Sequence, residues 1–425
     1  MTKIQYTKEK IGWILYDFAD SSFVTIIVTV LFSMYFKDIV VGQAEVGTAL
    51  WGRAISISMF IVAILAPVMG AIADYSHSRK RLLMIFTFAT IAFTACLYHI
   101  KPGYVVPAMF FFIIANIGFN MSNVFYNSFL PGIAEKHEMG RISGIAWGVG
   151  YLGGLAALLL VMPIVGLDLE DYLNFRYSFL LVAVFFLVFS IPTFMWLSEK
   201  NKPNHPKKNY ILVGFNRIIE TGKNINKFRE LLKFLCSYFL FNDGITVVIT
   251  FAAIYGSTRF GMSATEMIFY FILAQPASFL GAIVFGYILD KIGAKKSINI
   301  TLIIWMIVII GAYLCATKYQ FYIVGIGAGF AMGSCQANSR TLLAKLTPVS
   351  KSTEFFGFFS VTGRLASIVG PLLYGEISRI TGNQQNAILS VLGFFVLGFI
   401  VLQYVDEKAG EVVAEDYEKG KPTLY

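Results

Sequence analysis

Among the charged side chains set within apolar stretches of this 425-residue chain, six are candidates for chemistry: Asp17, Asp20, Asp243, Arg53, Arg340 and Arg364. A charge at the centre of a hydrocarbon slab costs about 2.5–3.5 kcal/mol on insertion scales, so each asks for a reason. One reason is a salt bridge between packed helices. The other is work on a solute or proton that crosses the slab. Burial favours the protonated form of a carboxyl group and a nearby arginine favours the ionised form, so acids and arginines that move relative to one another can take up and release protons. At about 1.5 Å per residue from the start of each apolar stretch, Asp20, Asp243 and Arg364 lie about 14 Å deep, near the middle of a ~30 Å core. Asp17 lies closer to the inner surface, Arg53 is nearer the outer one and Arg340 nearer the inner one. The expected coupling centre is Asp20 and Asp243, with Arg364 as a mobile counter-charge and Asp17 in reserve.

A second polar pattern is uncharged. Asn116, Asn120, Asn123 and Asn127 fall on one face of a helix. Interhelical hydrogen bonding explains one or two such residues. Four in a stripe are expected to line a wet path, together with Tyr16 and Gln336. The four histidines (His77, His99, His137, His205) all lie in loops or at span ends, which argues against a histidine relay at mid-depth. Cys96, Cys236, Cys315 and Cys335 fall in separate apolar stretches without a CxxC pair, so neither a metal site nor a disulfide framework is expected. There is no phosphate-cradling loop and no nucleophile–base constellation, so ATP hydrolysis, enzyme activity and a cofactor are not expected.

The elements that must hold these residues are set by composition. The chain is 57% hydrophobic and 14% charged, with 40 phenylalanines. Soluble domains carry roughly 45–50% apolar and about 25% charged residues, so this chain calls for a lipid environment. Apolar stretches long enough to span it are expected at 11–36, 49–73, 82–100, 104–130, 142–166, 176–197, 232–256, 266–289, 297–316, 319–344, 355–379 and 384–405. The N-terminus lacks the pattern of a cleaved signal peptide, so the first span is expected to be retained. The net charge of +9 comes from short loops between spans and does not point to nucleic acid. Basic residues crowd the loops after even-numbered spans, and the stretch Asp168–Asp171 on the other side is acidic. This asymmetry predicts that both termini are cytoplasmic.

Residues 198–231 form the expected linker. Its second half is amphipathic, with Ile211, Leu212, Phe215, Ile218, Ile219, Ile225 and Phe228 at helical spacing opposite Arg217, Lys223 and Lys227. The linker divides an N-terminal six-helix bundle (1–197) from a C-terminal one (232–405), with a cytoplasmic tail at 406–425. The two bundles share landmarks at a near-constant offset. Gly70 and Asp74 recur as Gly286 and Asp290, Pro131 as Pro348, Gly140 as Gly357, and Gly153 as Gly370. Such ordered recurrence implies duplicated halves, a common plan among transporters. The expected fold is an all-α membrane protein of twelve helices in two pseudo-symmetric six-helix bundles.

The repeated loops read Gly70-Ala-Ile-Ala-Asp74-Tyr-Ser-His-Ser-Arg79-Lys80-Arg81 and Gly286-Tyr-Ile-Leu-Asp290-Lys291-Ile-Gly293-Ala-Lys295-Lys296. They resemble the two copies of the cytoplasmic signature of the major facilitator superfamily. The first copy departs at Tyr75, where a base is usual. Gly70, Asp74, Arg79, Gly286, Asp290 and Lys291 are therefore the expected gating residues. The first span, Trp13-x-x-Tyr16-Asp17-Phe18-Ala19-Asp20-Ser21-Ser22-Phe23, resembles the signature of the vacuolar-effluxer branch, whose asparagine is Asp20 here. Asn242-Asp243-Gly244, Gln336-x-x-Ser339-Arg340 and Glu354-Phe355-Phe356-Gly357-Phe358 are similar to that branch as well. The resemblance implies that spans 1, 4, 7 and 10 line a central cavity.

These observations together predict a secondary transporter of a small polar solute working by alternating access, with an amino acid as the first candidate and protons as a candidate coupling ion. Two alternatives stay open: a transporter or flippase of an amphipathic molecule or lipid, and a membrane sensor that binds without moving its ligand. A monomer in a bacterial inner membrane is expected.

Overall fold

The structure is a computed structural model and describes residues 7–165, 172–199, 225–262 and 264–420. Among these residues the chain is helical and connected by short turns. The long helices are α1 (Lys8–Val41), α2 (Ala44–Ser76), α3 (Arg79–Cys96), α4 (Val105–Asn127), α5 (Met139–Val165) and α6 (Tyr172–Trp196). Then come α7 (Arg229–Phe260), α8 (Ala264–Ile292), α9 (Ala294–Leu314), α10 (Lys318–Leu346), α11 (Ser352–Thr381) and α12 (Gln384–Gln403). A short α13 (Glu407–Glu418) closes the described chain.

Among the described residues, eleven of these helices are apolar and long enough to cross a membrane. α10 completes the expected twelve. It is 29 residues long, but its second half carries Gln336, Asn338, Ser339 and Arg340. Most of that half is buried within its own helix group. A helix shielded from lipid by its neighbours needs no apolar outer face, which is why hydropathy alone undersells it.

Helix interruptions follow from residue type. Pro67, Pro163, Pro192, Pro276 and Pro371 lie inside helices, each lacking an N–H and crowding the preceding turn. α1 widens into π-helical geometry at Phe23–Val30 and Tyr35–Val41, directly after its polar first half. Such widened turns are uncommon and concentrate at functional sites.

Packing divides the chain into two units. The first takes Met1–Phe129 and Val149–Asn216, hence α1–α4, the later part of α5, and α6. The second takes Leu130–Gly148 and Arg217–Tyr425, hence the first turns of α5 and α7–α13. In the first unit α1 packs on α6, and α4 on α3 and α2. In the second, α8 packs on α10, α7 on α12 and α11, and α9 on α10 and α12. The two pairing schemes match under the sequence repeat.

The amphipathic stretch expected at 211–228 lies mainly outside the described residues, as does the acidic stretch at 168–171. The tail expected at 406–425 contains a formed helix, α13. Asp406 caps it, its carboxylate accepting from the Ala409 N–H at 3.0 Å. Gly410 and Ala414 face inward.

Candidate transport site

In the first unit the polar centre is built on α1. Tyr16 is fully buried, and its hydroxyl lies 2.6 Å from Thr87 Oγ1 on α3. The Tyr16 ring stacks on Tyr126 of α4, with centroids 4.7 Å apart. Trp13 and Tyr126 exchange hydrogen bonds. The indole N–H donates to the Tyr126 carbonyl at 2.9 Å, and the Tyr126 hydroxyl donates to the Trp13 carbonyl at 2.9 Å. This aromatic clamp holds α1 against α4 just below Asp17 and Asp20, both of which are buried. Glycines on α5 let it close on the same stretch. A Cβ at Gly153 would overlap the Phe18 carbonyl oxygen, and one at Gly150 would stand 3.1 Å from the Asp17 carbonyl. The glycines of α5 thus serve close approach.

The asparagine stripe divides into two pairs. Asn116 and Asn120 are buried. Asn116 donates to Ser58 Oγ on α2 at 2.7 Å, and Asn120 donates to the Asn116 carbonyl at 2.7 Å. Asn123 and Asn127 are half-buried, each donating to a carbonyl one turn earlier at 3.2 and 2.8 Å. Arg53 stands exposed on α2. Cysteines placed at 123 and 127, in a background lacking the native four, are expected to react faster with water-soluble thiol reagents than cysteines at 116 and 120. Equal rates at all four would remove the distinction.

In the second unit α7, α10 and α11 gather the remaining polar groups. Gln336 donates to Asn242 Oδ1 at 3.4 Å, and Asn242 donates to the Gly363 carbonyl at 3.3 Å. Asp243 Oδ1 accepts the Gly370 N–H at 2.8 Å. Arg364, the expected counter-charge, is half-buried on α11 and is not bonded to Asp243. Arg340 is committed elsewhere. It is 3% exposed, donates through Nε to Ser143 Oγ at 2.9 Å and through a terminal nitrogen to the Ser143 carbonyl at 2.8 Å, and lies over the Trp147 ring. It thereby pins the start of α5 to α10.

The two signature loops are held by different means. In the first, Asp74 pairs with Arg79 of its own loop at 2.8 Å. In the second, Asp290 reaches the start of α5. Its Oδ1 accepts the Gly140 N–H at 2.9 Å, and its Oδ2 accepts the Arg141 N–H at 3.2 Å and Arg141 Nε at 2.9 Å. Four residues earlier, a Cβ at Gly286 would stand 2.6 Å from the Gly140 carbonyl, so this glycine sets the distance of approach. Lys291 points outward.

Two further acids, not foreseen from sequence, complete the loops. Glu199, just after α6, accepts the Arg79 N–H at 2.5 Å at the start of α3. Burial pushes its carboxyl above the ordinary range, against the lowering pull of the Arg79 N–H and charge. Glu407, just after α12, accepts the Ala294 and Lys295 N–H groups at 2.9 and 2.8 Å at the start of α9. Each caps the free N–H groups and positive dipole end of the helix after a signature loop. Glu407 also pairs with Lys345 at 3.1 Å, and α13 continues the network through Glu415 to Lys136 at 2.8 Å. Lys136 in turn holds the Glu415 carboxyl below its usual value. The sequence did carry a signal: an acid follows the last span of each half.

Among the described residues no group of His, Cys, Asp and Glu is arranged to hold a metal ion.

Comparison with known proteins agrees with this architecture. The profile of the Atg22-like vacuole effluxer family matches residues 47–415. The chain is 30% identical to the uncharacterized MFS-type transporter YxiO of Bacillus subtilis, covering 97% of this chain and 98% of that one. It is 26% identical to autophagy-related protein 22 of Kluyveromyces lactis, covering 84% and 79%. Among solved structures, the proton:xylose symporter XylE superposes with a TM-score of 0.76 at 15% identity, covering 97% of this chain and 98% of XylE. The human organic anion transporter MFSD10 gives 0.73 at 14%, covering 93% and 99%. These relatives and neighbours are transporters rather than enzymes. The twelve-helix fold, the paired signature loops and the family match together place the chain in the Atg22-like vacuole effluxer family of the major facilitator superfamily.

Proposed function

We propose that this protein is a secondary transporter that moves a small polar solute by alternating access, with protons as the coupling ion and an amino acid as the first substrate class to test. The observation that carries this reading is the set of polar groups buried within the spans of both units. Tyr16, Asp17, Asp20, Asn116 and Asn120 lie in one; Asn242 and Asp243 lie in the other, beside Gln336. Polar groups buried within spans are costly unless they hold one another or a solute. The resemblance of the first span to vacuolar effluxers supports the amino-acid class. The charge pattern of the loops supports cytoplasmic termini; a monomer in a bacterial inner membrane is part of the same proposal.

A second reading has one observation in its favour. A cleft of about 480 Å³ opens between α7 and α11, walled by Leu231, Leu235, Phe239, Phe355 and Phe358. Its size and apolar walls suit the tail of an amphipathic molecule.

Purified protein in liposomes, given a solute gradient and no nucleotide, is expected to show saturable flux of an amino acid that also raises its melting temperature. Stabilisation and flux by an amphipathic compound alone would select the second reading. Binding without flux under any imposed gradient would leave a sensor.

A further inference from the structure

Asp243 is a buried acid with no hydrogen-bonded cation among the described residues. Its side chain is 0% exposed. Oδ1 accepts the Gly370 N–H at 2.8 Å, while Oδ2 is buried and has no hydrogen-bond partner among the described residues. The charged and titratable groups nearest it along the helices packed against it are these, while Glu354 and Arg379 of α11 and Tyr255 of α7 lie further along their helices. On α11, Arg364 lies six residues before Gly370, about 9 Å along the axis. Tyr374 on the same helix donates to Gln384 at 2.7 Å, and Glu376 is exposed. On α7 itself, Tyr238 stacks on Phe359. From α10, Arg340 is held by Ser143, and Cys335 is a buried thiol. α8 carries its acids, Glu266 and Asp290, towards its two ends, and α12 has no charged residue.

An ionised carboxylate in this place would bear an uncompensated buried charge, which is costly even after relaxation. The neutral acid bears none and keeps the bond from Gly370. The helix that supplies this bond is interrupted at the same point. Pro371 has no N–H and crowds the carbonyl four residues before it, which weakens α11 there. A Cβ at residue 370 would stand 2.5 Å from Oδ1, so the absence of a side chain is what admits the acid.

We propose that Asp243 is a proton-binding site within the membrane domain, protonated in the conformation seen and clamped to α11 at the Gly370–Pro371 break. When α11 swings from this contact, the acid O–H bond breaks, the proton passes to water, and the carboxylate is stabilised by Arg364. Acid pH thus favours the clamped conformation and alkaline pH opposes it. The proposal rests on the transport reading only in giving the proton a destination in a cycle.

The test is pH-difference infrared spectroscopy of the full chain in lipid nanodiscs, without any solute. A protonated-carboxyl band should be present at acid pH and lost on alkalinisation. Asp243→Asn should remove that band, and Gly370→Ala, which displaces the clamp, should move the pH at which it is lost. A band unaffected by both substitutions overturns the proposal. Should Asp243→Asn not accumulate, Asp243→Glu in protein made with isotope-labelled aspartate replaces it. The isotope-shifted band must then vanish, and its persistence overturns the proposal. Since no solute is present, this outcome is separate from success or failure of the flux measurement.

Discussion

Replacing Asp290 by alanine is expected to lower the melting temperature of the purified protein by several degrees and to slow transport severely. Three donors converge on this carboxylate: the Gly140 N–H, the Arg141 N–H and the Arg141 guanidinium. The ion pair is largely buried, with Asp290 7% and Arg141 14% exposed at the side chain. Removing one partner of such a pair strands the other and costs about 3–5 kcal/mol. The loss falls at the first turn of α5, where free N–H groups and the helix dipole already favour an anion. Asp290→Asn keeps an acceptor but no charge, so its effect should be intermediate. Arg141→Ala should cost less than Asp290→Ala, because the carboxylate would retain two backbone donors. Ligand affinity should stay within several fold throughout, since the loop lies at the end of α8. Equal and small effects of all three substitutions, or loss of ligand binding in a folded Asp290→Ala protein, would contradict this account.

A single methyl group at residue 333 is expected to do comparable damage. Gly325, Gly329 and Gly333 recur every four residues on α10 and form a smooth strip against α8. A Cβ on Gly333 would overlap the Ser278 carbonyl oxygen, and one on Gly329 the Ala274 carbonyl oxygen. Neither obstacle is a flexible side chain, so the helices themselves must part. Overpacking of this kind typically costs about 1–3 kcal/mol, occasionally more. Gly393→Ala provides the contrast. Gly393 lies in α12 with nothing within 4 Å of where a Cβ would stand. There alanine should be neutral or should stabilise by about 0.5–1 kcal/mol through helix propensity. Thermal melting of the three proteins decides the matter: if Gly333→Ala melts no lower than Gly393→Ala, the strip is not a tight contact.

The spans were legible because lipid makes helices announce themselves by length and hydropathy. α10 shows the limit of that signal, since a helix wrapped by others is excused from being apolar. Helical period placed four asparagines on one face, but period is blind to depth. It could not foresee that Asn116 and Asn120 hold Ser58 and each other while Asn123 and Asn127 are half-buried. The acid at residue 243 was visible from sequence, whereas its partner was not. That partner is a backbone N–H at residue 370, and no residue type advertises a main-chain donor. Glu199 and Glu407 escaped notice for a related reason, because each caps a helix more than a hundred residues away. α13 was readable in principle: Asp406 is a strong N-cap residue, and Gly410 and Ala414 repeat at helical spacing.

The start of α5 has a consequence for how the chain is made. Its partners are all late in the sequence: Asp290 lies 149 residues beyond Arg141, and Arg340 lies 197 beyond Ser143. At a synthesis rate of about 5–20 residues per second, roughly 10–40 seconds separate the emergence of Ser143 from that of Arg340. Until α8 has emerged, within this interval, the bare backbone at Gly140 and Gly144 lacks its cover. Synthesis order thus leaves this face of α5 without its final partners until the second half of the chain has been made.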